Sequence, residues 1–113
     1  MGEHTPEMTA MLTPELKQRF DEEIKSHKIV IYMKGNQLFP ACGFSAKAIE
    51  LLKPFGALHT VDVLTTPGVR DGIKAYSNWP TIPQVYINGQ FVGGSDIITE
   101  LAKRGELESL IKG

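Results

Sequence analysis

The sequence predicts one α/β domain built on a mixed sheet with helices on both faces, and three observations carry that prediction. Ile29–Met33 is a β-branched and aromatic run without alternation, the pattern of a strand buried on both faces. Asn88-Gly89 joins two short apolar runs, the strongest short-range hairpin signal. Between these lie segments of helical period, and 113 residues suffice for one core but not two.

The elements follow in order. Residues 1–12 carry little periodicity and read as a flexible N-terminal tail, leaving 13–113 as the domain. Thr13 can cap a helix, Pro14 suits its first position, and Glu15 favours its positive end. Leu16, Phe20 and Ile24 then form one inward stripe. After the strand, Lys34-Gly35 opens a loop that runs to Pro40. From Gly43 the pattern is helical, with Ala46, Ile49 and Leu52 inward, until Pro54-Phe55-Gly56 stops it. Residues 58–64 form a second strand. Thr66-Pro67 repeats the cap-and-proline start and opens a helix with Val69, Ile73 and Tyr76 inward. The hairpin pairs residues 85–87 with 90–92. Gly93-Gly94 breaks the strand, Ser95 or Asp96 caps another helix, and Gly105 separates a short terminal one. The order α-β-α-β-α-β-β-α, a βαβ unit followed by a hairpin, is the thioredoxin-type arrangement with a four-stranded mixed sheet.

Composition narrows the function. The net charge of −1, with basic residues scattered, gives no reason to expect nucleic acid or an anionic membrane as partner. No apolar run approaches the roughly 20 residues a membrane-spanning helix needs. The N-terminus lacks the basic start and apolar block of a secretory signal, and any transit peptide is absent from this sequence. A single cysteine forms no internal disulfide, so a reducing compartment is the default. His4, His27 and His59 are far apart in sequence and read as surface residues, not ligands.

That cysteine, Cys42, stands where a strand hands over to a helix. The free amides of the first turn, those of Phe44 and Ser45, point toward its sulfur, and the helix dipole favours thiolate. Lys34 lies on the same side, so the thiol pKa is expected to fall below its ordinary value. Taken alone, the position is equally compatible with an inert buried cysteine. Two further segments add to it. Pro83 stands directly before the hairpin, and a cis Ile82–Pro83 bond would turn the Ile82 backbone toward an extended peptide. Gly93-Gly94-Ser95-Asp96 allows close backbone approach and offers amides to a carboxylate, while Asp96 answers an amino group.

Lys34-Gly35, Cys42-Gly43-Phe44-Ser45, residues 76–84 (YSNWPTIPQ) and residues 93–97 (GGSDI) together resemble the monothiol glutaredoxins of the CGFS type. The match runs in order and spacing over roughly residues 13 to 111, and residues 12–17 (LTPELK) are similar to plastid and cyanobacterial members. The resemblance implies a glutathione site. Lys34 and Arg70 would hold the glycine carboxylate, Ile82 would pair with the peptide backbone, and Ser95 and Asp96 would take the γ-glutamyl end. Phe44, Thr81, Pro83 and Gly94 complete it, with Cys42 facing the glutathione sulfur. It also implies the plastid stroma as compartment, with bacterial cytoplasm or mitochondrial matrix as alternatives. Two departures stand out: Asn36 replaces the usual Thr or Ser, in a loop more apolar than most, and Ser95 replaces a cysteine that many members carry.

Dithiol oxidoreductases release their mixed disulfide with a second thiol, and here that position is Ser45. Redox chemistry is thereby restricted to glutathione-dependent exchange through Cys42, a weak monothiol oxidoreductase at most. The other use of the thiolate is ligation. A [2Fe–2S] cluster takes about four sulfur ligands, so two chains and two glutathiones would supply them. The resemblance thus implies a cluster-bridged homodimer that passes [2Fe–2S] to acceptor apoproteins, with a BolA-type protein as a further candidate partner. Removal of glutathione from protein thiols is the alternative.

Overall fold

The computed structural model describes residues 11–113. The expected tail falls outside them except for Met11 and Leu12, and Leu12 packs half-buried against the core. The elements are α1 (Pro14–Ser26), β1 (Ile29–Met33), α2 (Gly43–Leu52) with a 3-10 turn at Lys53–Phe55, and β2 (His59–Asp62). Then come α3 (Val69–Ser77), β3 (Gln84–Ile87), β4 (Gln90–Gly93), α4 (Ser95–Lys103) and α5 (Leu107–Lys112).

The strand order is β2-β1-β3-β4, with β1 parallel to β2 and antiparallel to β3, and β3 antiparallel to β4. Every residue of β1 is buried, as its unbroken apolar run requires. Its side chains alternate between two cores. Ile29, Ile31 and Met33 meet Ala48, Ile49 and Leu52 of α2, Ile98 of α4, and Leu107 and Ile111 of α5. Val30 and Tyr32 meet Phe20 and Ile24 of α1 and Val69 and Ile73 of α3. The sheet is therefore a middle layer, and the thioredoxin-type arrangement is the fold found.

Start and stop chemistry explains most boundaries. Thr13 caps α1, its Oγ1 accepting from the Leu16 amide at 3.2 Å, with Pro14 at the first position. Four expectations need correction. The second strand is shorter than residues 58–64, because Asp62 Oδ1 accepts from the Leu64 amide at 2.9 Å and turns the chain. Thr66 does not cap α3; Gly68, at φ +84°, holds that place, and the helix begins at Val69. Neither Ser95 nor Asp96 caps α4: Gly94 is the N-cap, and both residues are already helical. In α2 the inward face is Ser45, Ala48, Ile49 and Leu52, while Ala46 is exposed.

At the edge of the sheet away from the hairpin, His27 and His59 stand together despite their separation in sequence. Their rings stack at 3.9 Å, nearly parallel, and His59 Nε2 lies 3.2 Å from Glu23 Oε2. The other oxygen of Glu23 accepts from the Tyr32 hydroxyl at 2.9 Å.

Candidate functional site

Cys42 is the N-cap of α2, extended at φ −148°, ψ 158°, with its sulfur turned back over the first turn. The Ser45 amide reaches Sγ at 3.4 Å, as expected of a free first-turn donor. The Ser45 hydroxyl lies 3.2 Å from Sγ, and that hydroxyl in turn accepts from the Lys34 amide at 3.4 Å. Partial burial pushes the Cys42 thiol up. The Ser45 hydroxyl, the Ser45 and Phe44 amides and the Lys34 charge together outweigh it and hold the thiol below its ordinary value.

The segment before Cys42 is braced from three directions. The Ala41 amide donates to the Lys34 carbonyl at 2.8 Å, and Gly35 bridges Pro40. The Gly35 amide donates to Asp62 Oδ1 at 3.1 Å, tying the end of β1 to the end of β2. Asn36 Oδ1 accepts from both the Leu38 and Phe39 amides at 2.9 Å, which leaves those two side chains largely exposed. Asn36 thus shapes the loop that leads to Cys42.

Beside Cys42 opens a cleft of about 580 Å³. Lys34, Phe44, Arg70, Thr81, Ile82, Pro83, Gly94, Ser95 and Asp96, the residues singled out from the sequence, all line it. Lys34 comes from the end of β1, Phe44 from α2 and Arg70 from α3, and the Ile82–Pro83 bond leading into β3 is cis. Gly94 caps α4, and Ser95 and Asp96 are its first two residues, so the amide end of that helix faces the cleft. Cys42 itself stands just outside the lining, next to Phe44, with Lys34 acting on its charge.

The sequence reading missed Lys74, Trp79, Pro80 and Ile97, which also line the cleft. Lys74 had a signal: it follows Arg70 by four residues on α3, a spacing that puts two side chains on one helix face. The lining therefore carries three cations, Lys34, Arg70 and Lys74, and a carboxylate, Asp96, in the opening turn of α4. Trp79, the only tryptophan, keeps its indole N–H buried without a hydrogen-bond partner.

The glutaredoxin family model matches residues 29–92. A monothiol glutaredoxin ycf64-like of Synechocystis is 49% identical over 102 residues, covering 89% of this chain and 95% of that protein. The chloroplastic monothiol glutaredoxin-S14 of Arabidopsis thaliana is 44% identical over 102 residues, or 89% of this chain and 59% of that one. The solution structure of reduced poplar apo GrxS14 superimposes with a TM-score of 0.79 at 45% identity, covering 92% of this chain and 95% of that chain. The lone thiol at the start of α2 is thus explained by descent as well as by geometry: the chain belongs to the glutaredoxin family, on its monothiol, CGFS-bearing branch.

Proposed function

We propose that the protein binds glutathione in the cleft beside Cys42 and, as a pair of subunits, carries a [2Fe–2S] cluster that it delivers to acceptor proteins. The observation that carries this reading is the pairing of one activated thiol with a cleft lined by three cations and by Asp96 at a helix N-terminus. Glutathione is an extended peptide with a carboxylate at its glycine end and an amino group and carboxylate at its γ-glutamyl end. Lys34, Arg70 and Lys74 suit the first. Asp96 suits the amino group, and the opening amides of α4 suit the second carboxylate. Ile82 pairs with the backbone between, and Phe44, Thr81, Pro83, Gly94 and Ser95 shape the walls.

The cluster is cargo on this reading. Among the described residues there is no group of three or more His, Cys, Asp or Glu able to hold a metal ion. One chain offers Cys42 alone, so a donor set of about four sulfurs recruits a second subunit and two glutathiones. Half of such a set is exchangeable, which suits a carrier. The exposed Leu38, Phe39 and Phe44 offer an apolar rim for an acceptor or a BolA-type protein. Cyanobacterial, chloroplastic and mitochondrial relatives suit the plastid stroma, with the bacterial cytoplasm or the mitochondrial matrix as alternatives.

The lowered Cys42 pKa favours a second reading, removal of glutathione from protein thiols. The Cys42 thiolate attacks the glutathione sulfur of the mixed disulfide and expels the protein thiolate. A second glutathione thiolate then cleaves the Cys42–glutathione disulfide and leaves as oxidised glutathione.

Anaerobic reconstitution with iron, sulfide and glutathione separates the two. The carrier is brown and dimeric, and becomes colourless and monomeric once glutathione is dialysed away. A protein that stays colourless and rapidly reduces a glutathione mixed disulfide would falsify the carrier reading.

A further inference from the structure

Among the described residues, Gln84 is one of two polar side chains with no exposure at all; the other, Ser45, is accounted for by Cys42. Gln84 opens β3 directly after Pro83 and pairs with Tyr32 in the sheet. Its carboxamide is fully committed. Nε2 donates to the Trp79 carbonyl at 3.1 Å and to the Thr81 carbonyl at 3.3 Å. Oε1 accepts from the Tyr86 hydroxyl at 3.2 Å. The network fixes the amide orientation, because the flipped group would set an oxygen against two carbonyls.

Each end of this brace has a different character. Tyr86 is buried in the sheet, its ring packed against Tyr32 and Phe91. Trp79 and Thr81 belong to the segment that, with Pro80 and Ile82, forms one wall of the cleft. Gln84 does not reach the cleft, yet it links that wall to the rigid interior by two donors and one acceptor.

We propose that Gln84 is a positioning residue of the site, setting the Thr81–Ile82 edge against which an extended ligand pairs. This rests on the reading of the cleft as a glutathione site. Cys42 takes its partners from α2 and the end of β1, so the brace governs ligand affinity and leaves the thiol's reactivity alone.

The test compares the full chain with Gln84→Met, which keeps length and loses all three hydrogen bonds, and Tyr86→Phe, which removes only the anchoring hydroxyl. Three measurements are made: calorimetric titration with reduced glutathione, amide relaxation at Thr81 and Ile82, and the rate of Cys42 alkylation by iodoacetamide. Affinity is expected to fall about tenfold in Gln84→Met and about threefold in Tyr86→Phe, with greater mobility at Thr81 and Ile82 and an unchanged alkylation rate. Unchanged affinity and mobility in folded Tyr86→Phe overturn the proposal. So does a parallel fall in affinity and alkylation with loosening across the whole sheet, which marks Gln84 as a general core residue. If the wild-type chain itself fails to bind glutathione, the reading of the cleft fails, and mobility at Thr81 and Ile82 still decides the role of Gln84.

Discussion

The Ser45 hydroxyl sits 3.2 Å from Cys42 Sγ while accepting the Lys34 amide at 3.4 Å on its other side. The Cys42 thiol donates to that hydroxyl when protonated; once Cys42 is a thiolate, which can only accept, the hydroxyl turns its own hydrogen to the sulfur. Ser45 is fully buried, so solvent does not compete for that hydrogen. The position that holds a second thiol in dithiol enzymes therefore holds a donor to the first.

Ser45→Ala follows from this directly. Loss of a donor to thiolate raises the pKa, so the pH profile of Cys42 alkylation shifts to higher pH. Among the groups that lower the Cys42 pKa, the Ser45 hydroxyl has the largest effect, so the shift exceeds that of any other single change in the first turn. Ser45→Thr retains the hydroxyl and restores much of the profile. A profile in Ser45→Ala that overlays the wild type would show that the hydroxyl does not serve the sulfur.

Lys34→Gln divides the same effects differently. Its charge is the least of the groups that lower the Cys42 pKa, so the alkylation profile moves upward less than in Ser45→Ala. Its side chain lines the cleft together with Arg70 and Lys74, so glutathione affinity falls further, by about tenfold for a lost charge-assisted contact. The reverse ranking of the two variants in the two measurements would contradict the assignment of Lys34 to the ligand.

The architecture was legible because its signals are local. An unbroken apolar strand, an Asn-Gly turn and a Thr-Pro start each fix one element, and the order of elements leaves few topologies. The cleft lining was legible through the resemblance carried by four short segments. What escaped depends on tertiary partners. The periodicity placed Ala46 on the inward face of α2, whereas Ser45 is buried there with its hydroxyl against the Lys34 amide and Ala46 is exposed. Lys74 reads as a surface lysine until α3 is laid along the cleft. The ends of β2 and α3 were misjudged because an aspartate turn and a left-handed glycine act over one or two residues, below the reach of periodicity.

Gly35→Ala is expected to be severe. Gly35 has φ +86°, and a Cβ there would clash with the Phe39 carbonyl oxygen and meet the Ala41 amide nitrogen at 2.6 Å. Both are backbone atoms, so relief requires moving the loop and, with it, the Ala41–Lys34 hydrogen bond next to Cys42. The left-handed conformation alone costs on the order of 1 kcal/mol for alanine, and the clash adds to it. A loss of about 3 kcal/mol or more in urea unfolding is expected. Unaltered stability would mean that the loop has another conformation of equal energy.

Asn36→Ala tests the loop without touching the cysteine. The Asn36 carboxamide oxygen holds two consecutive amides, a local turn that fixes Leu38 and Phe39 outward. All three residues are exposed, so water replaces the lost partner and global stability falls by only about 1 kcal/mol. The sharper effect is dynamic: the Leu38 and Phe39 amides exchange with solvent faster while those of β1 keep their protection. Asn36→Asp preserves the acceptor and the slow exchange, and Asn36→Thr, with a single shorter acceptor, falls between. Cys42 keeps its alkylation profile throughout, because none of its partners lies between residues 36 and 40. A variant that shifted that profile would tie the loop to the thiol itself rather than to the apolar surface beside it.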